Sequence, residues 1–65
     1  MTRITISMLK QKIELSSEIL NEKMENQSYN GYEHLKLRGE NIFAGIKREC
    51  YDFINGLINF KLLTA

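Results

Sequence analysis

Residues 46–63, IKRECYDFINGLINFKLL, constrain this chain more than any other stretch. On a wheel of about 100° per residue, Ile46, Cys50, Tyr51, Phe53, Ile54, Leu57, Ile58, Phe60 and Leu62 fall in one continuous arc. Arg48, Glu49, Asp52, Asn55 and Asn59 fill the opposite side. The apolar arc covers roughly 200°, whereas a helix resting on a single core needs only about 100°. Such a helix calls for cover from two directions. A short chain has little left to supply the second cover, so this pattern predicts a partner surface as well as a core.

The chain has 65 residues, enough for one domain, 1–65. A domain of this size buries only about 60% of its unfolded surface and is marginal without a disulfide, a metal or a partner. Cys50 is the sole cysteine, so no internal disulfide can form. It lies within the apolar arc, where a free thiol behaves as a small hydrophobe, and this usage fits a reducing, cytoplasmic setting. Cys50 and His34 do not make a zinc site, which takes about four ligands. No metal and no cofactor is expected. Self-association is the remaining route, and a homo-oligomer is expected. Nine basic and eight acidic residues leave a net charge of +1, too balanced to steer a partner by a large field. The start, MTRITISMLK, lacks the apolar segment of a secretory signal. No run approaches the ~20 apolar residues of a membrane span.

A first helix is expected over about 8–25, with Ser7 as its N-cap and Ile6 packing forward before it. Leu9, Ile13, Leu20 and Met24 share one stripe. Met8, Leu15 and Ile19 form a second stripe some 120° away on the same wheel. Two stripes suggest two packing partners, or one broad face with Met8 and Ile19 at its edge. The segment NQSYNG, 26–31, reads as a turn or loop, its Asn30-Gly31 pair tolerating positive φ. Tyr32, His34 and Lys36 then alternate with Glu33, Leu35 and Leu37, a half-buried strand pattern. A turn at Gly39, Glu40 and Asn41 leads to a short return strand at Ile42, Phe43 and Ala44. The expected fold is therefore α+β, helix–β-hairpin–helix (αββα). The hairpin covers about 32–44, the closing helix covers about 46–63, and the helices pack antiparallel or crossed on one side of the hairpin. A lone hairpin is marginal in water, so it lies on the helices or pairs its edge with another chain. Gly56, inside the closing helix, costs about 0.8–1 kcal/mol relative to Ala. It marks a close approach by another helix or is merely tolerated.

The pairs Gly31-Tyr32 and Gly56-Leu57, the triplet Lys47-Arg48-Glu49, and Phe53 carry a resemblance. About half of the chain resembles small accessory proteins of phages and prophages, with an N-terminal helix, a Gly-Tyr hairpin and a closing helix. The resemblance implies a phage accessory origin and a host-cytoplasm setting. It implies no activity.

His34 and Cys50 are the only residues suited to a nucleophile–base pair. One falls on a strand and the other on a buried helix face, with no Asp placed to orient either, so no catalysis is expected. Lys36, Arg38, Lys47 and Arg48 with Tyr29 and Tyr32 could hold a single nucleic-acid strand by charge and stacking. The interspersed Glu33, Glu40 and Glu49 weigh against it. The acidic polar face of the closing helix weighs against a membrane surface. A nucleotide-like ligand would find aromatic and cationic lining in Tyr29, Tyr32, His34, Lys36 and Arg38. The reading that fits best is a non-enzymatic accessory protein that inhibits or modulates a host protein, a defence system being one candidate, by direct binding. The hairpin-face residues Tyr29, Tyr32, His34, Lys36 and Arg38 are its candidate binding set. Met8, Leu15, Ile19, Tyr51, Ile58 and Leu62 are the candidate self-association or partner set. An oligomeric binder of a small nucleotide-like ligand, or a small nucleic-acid-binding protein, is the alternative.

Overall fold

In a computed structural model that describes residues 3–64, the chain runs helix, three strands, helix. The elements are α1 (Ile6–Leu20), β1 (Met24–Tyr29), β2 (Tyr32–Leu37), β3 (Glu40–Gly45) and α2 (Lys47–Thr64). The fold is α+β, with one helix before and one after an antiparallel hairpin in the chain, as the sequence indicates. A third strand, β1, extends that hairpin to a sheet of order β1-β2-β3.

β1 replaces the end of the expected first helix and residues 26–29 of the expected 26–31 turn or loop, of which Asn30-Gly31 is a turn. α1 starts at Ile6 because Thr5, not Ser7, is the cap: its hydroxyl accepts from the Met8 N–H at 3.2 Å. α1 stops at Leu20, short of residue 25. Asn21 adopts the left-handed conformation with φ 56° and ψ 35°. Its N–H reaches the Glu18 carbonyl at 3.3 Å and the Glu22 N–H reaches that of Ser17 at 3.2 Å, the two bonds of a Schellman ending. The Ser17 hydroxyl then accepts from the Met24 N–H at 2.8 Å and so fixes the start of β1. Met24 is buried, but as a strand residue rather than as part of the α1 stripe.

Two tight turns build the sheet. Asn30 and Gly31 have φ 51° and 80°, and Arg38 and Gly39 have φ 55° and 78°. Positive φ at both central residues is what a two-residue type I′ hairpin turn requires. β1 pairs with β2 from Met24↔Leu37 to Tyr29↔Tyr32. β2 pairs with β3 from Glu33↔Gly45 to Leu37↔Glu40, and a bulge leaves Ile42 unmatched between Phe43 and Asn41.

Register sorts the sheet into two faces. Met24, Asn26, Ser28, Glu33, Leu35, Leu37, Phe43 and Gly45 face the helices. Leu9 and Ile13 of α1 and Cys50, Ile54 and Ile58 of α2 meet Met24 and Leu35 in one core. Phe43 stacks on Phe53 with ring centres 4.4 Å apart, and the Lys12 ammonium lies 5.1 Å from the centre of the Tyr51 ring, tying α1 to α2. The backbone at Gly45 passes so close to α2 that a Cβ there would come within 3.1 Å of the Glu49 Cβ and 3.2 Å of the Phe43 ring. Glu49 also caps α2 by accepting from the Ile46 N–H at 3.0 Å.

Candidate binding face of the sheet

The other face of the sheet carries no helix. Its residues fall in rows set by the register: Tyr29 with Tyr32, Gln27 with His34 and Ala44, and Glu25 with Lys36 and Asn41. Tyr29 and Tyr32 are 69% and 53% exposed. Ala44 adds only a methyl group beside His34. The result is a shallow hollow of about 390 Å³ lined by Gln27, Tyr29, His34, Lys36 and Asn41.

The structure thus brings Tyr29, His34 and Lys36 of the candidate binding set into one hollow, with Tyr32 on the same face beside it. Arg38 is elsewhere. It occupies the β2–β3 turn, and its guanidinium pairs with Glu22 in the α1–β1 connection. Gln27 and Asn41 were not singled out from the sequence. Both lie in segments that read as turns, and only their pairing opposite His34 and Lys36 places them here. The Asn41 Nδ2 lies 3.3 Å from His34 Nδ1. Lys36 makes no ion pair with another of the described residues. Glu25, its partner across the ladder, is the acidic group on this face.

The candidate association set is divided by the fold. Ile58 is buried in the core, and Ile19 and Tyr51 pack against it half-buried. Met8 is half-buried as well. Leu15 and Leu62 are exposed, in company with Phe60 at 68% and Leu63 at 85%. The exposed part of the wide apolar arc is therefore Ile46, just before α2, and Phe60 and Leu62 in its last turns, where Leu63 is exposed as well. Gly56 is exposed, and a methyl group there would meet nothing within 4 Å beyond its own turn of the helix.

The titratable groups near Cys50 make a structural cluster. Glu33 is buried on the helix side, where its Oε1 accepts from Ser28 Oγ at 2.6 Å and Asn26 Nδ2 at 2.9 Å. Burial alone pushes its pKa up. The bonds from Ser28 and Asn26 and the charges of Lys47 and His34 outweigh that and hold it below the usual carboxylate value. Cys50 donates its thiol to the carbonyls of Glu33 at 3.4 Å and Gly45 at 3.6 Å. Burial first, then the negative charges of Glu33 and Glu49, push the thiol pKa up, against a lowering by the Gly45 bond. A neutral, buried thiol is a poor nucleophile. His34 lies on the opposite face of the sheet, so the two do not form a pair.

Among the described residues no group of three or more His, Cys, Asp or Glu is placed to hold a metal ion. No helix among them is long and apolar enough to cross a membrane. Compared with known protein families, curated proteins and solved structures, the chain matches none.

Proposed function

We propose that this protein is a non-enzymatic recognition module, a phage-type accessory protein that inhibits or modulates a host protein by direct contact. Its working surface is the uncovered face of the sheet. The observation that supports this reading is the cross-strand pair Tyr29 and Tyr32, both exposed on that face with His34 and Lys36 beside them. Tyrosine offers a large, stiff contact area with a polar tip, and interface hot spots are rich in it. The phage-type element rests on Gly31-Tyr32, Lys47-Arg48-Glu49, Phe53 and Gly56-Leu57. The setting is the host cytoplasm, and a component of a host defence system is one partner of that kind. A homo-oligomer formed through the last turns of α2 belongs to the same proposal. Phe60, Leu62 and Leu63 supply its apolar surface, leaving the sheet face free.

The test is affinity capture from host lysate with the wild type and with a Tyr29→Ser, Tyr32→Ser double variant. Both positions are exposed, so the variant should keep its stability within about 0.5 kcal/mol per site. A stoichiometric host protein, held by the wild type and released by the variant, is the expected result. Equal capture by both, or capture of nothing by the wild type, overturns the assignment.

A further inference from the structure

We propose that the hollow on the open face of the sheet binds a nucleoside monophosphate, its base resting on Tyr29 and its phosphate held by Lys36 and His34. This site uses Tyr29, His34 and Lys36, which the protein-binding reading also uses, but the two are tested by different measurements.

The chemistry runs in one direction across the face. At one end stands the exposed Tyr29 ring, with Tyr32 opposite it. In the middle are the amide of Gln27 and the imidazole of His34, and at the far end the ammonium of Lys36 and the amide of Asn41. Aromatic, amide and cation in that order match base, sugar and phosphate. Tyr29 and Lys36 lie two rows apart. At about 3.4 Å per residue that is about 14 Å of backbone along the strands, and both side chains line the one hollow. A volume of about 390 Å³ lies in the usual range for small-ligand sites, about 300–1,000 Å³.

Two details favour an anionic group at the Lys36 end. Lys36 has no ion pair among the described residues. Asn41 Nδ2 lies 3.3 Å from His34 Nδ1, which sets an amide donor and an imidazole side by side next to Lys36. Glu25 works against both, since it faces Lys36 across the ladder on the same side of the sheet. Its removal should therefore strengthen binding, which a stacking-only site would not show. The same base-plus-phosphate chemistry is offered by a free nucleotide and by a nucleotide within a single strand.

The experiment is calorimetry, with amide chemical-shift mapping, using ribonucleoside monophosphates, the matching nucleosides, inorganic phosphate and short single-stranded oligonucleotides. The expected result is a monophosphate that binds with a Kd of about 1 mM or tighter and shifts the amides of Gln27, Tyr29, His34, Lys36 and Asn41. Lys36→Gln should weaken it about tenfold while leaving the nucleoside unaffected. Tyr29→Ala should weaken both, and Glu25→Gln should tighten the monophosphate alone. Affinity that rises with oligonucleotide length and falls steeply with salt identifies a strand as the source. Affinity independent of length identifies the free nucleotide. No binding of any monophosphate, shifts confined to the helices, or an unchanged Kd in Lys36→Gln overturns the proposal. Host-protein capture by the wild type would be unaffected by that failure.

Discussion

Glu33 is the residue on which the acid stability of this fold should depend. Its carboxylate is buried, yet it is held ionised by Ser28, Asn26, Lys47 and His34 against the cost of desolvation. A folded-state pKa below the unfolded value of 4.5 means the folded state binds the proton less readily. That stabilisation is complete above the unfolded pKa and is lost as pH falls through the lower folded value. Thermal melts in acid should therefore drop across that window. Glu33→Gln should flatten that drop and lower stability at neutral pH by about 1–3 kcal/mol, because two donors lose a charged acceptor. Cys50 gives the companion prediction. With its thiol buried and its pKa raised, alkylation by iodoacetamide should proceed only as fast as the protein opens, and should accelerate on adding denaturant. Fast labelling of the native protein would show that the core around Glu33 and Gly45 is not closed. The sequence places Cys50 correctly on the buried arc. It assigns Glu33 to the inward row of β2, but gives no sign that Asn26 and Ser28 would hold its charge there. Those partners belong to a strand that does not read as one.

At the scale of elements, two glycines have opposite roles, and sequence alone shows neither. Gly45 is buried where β3 turns into α2, and an added methyl would press on Glu49 and the Phe43 ring. Gly45→Ala should cost about 1–3 kcal/mol, the range of overpacking. Gly56 lies exposed inside α2 with open space around it. Gly56→Ala should raise stability by about 0.8–1 kcal/mol through helix propensity alone. Chemical denaturation of the two variants measures both. If the Gly56 change instead alters native mass without stabilising the chain, a second copy approaches there. The first helix and β1 show how an element boundary can go unread. The apolar spacing of α1 continues through Met24, but the left-handed Asn21 ends the helix before it. The sequence MENQSY has neither the β-branched residues nor the apolar alternation of a strand. It joins the sheet because the Asn30-Gly31 turn returns the chain in register with β2, and because Ser17 binds its first N–H.

For the whole molecule, the balance of apolar surface decides how it behaves in solution. Phe60, Leu62 and Leu63 are exposed at the end of α2. Replacing Phe60 and Leu63 together by Ser should leave the thermal midpoint nearly unchanged, since neither supports the core. Light scattering behind a sizing column should then show a smaller native mass than for the wild type. Equal masses would remove this end of α2 from any association. The sequence by itself determined the helix–hairpin–helix order, the inward residues Leu9, Ile13, Leu35, Cys50 and Ile54, and the aromatic and cationic residues of the β2 face; Ile58, expected at an association surface, lies in the core instead. These follow from local period and turn chemistry, which adjacent residues carry. Tertiary structure alone decided that β1 exists, that Arg38 turns away to Glu22, that Gln27 and Asn41 complete the hollow, and that Phe60, Leu62 and Leu63 stay exposed while Ile58 is buried. Each of those depends on which residues distant in sequence come to lie opposite one another. Strand register and the packing of the helices on the sheet set that arrangement, and no local spacing encodes it.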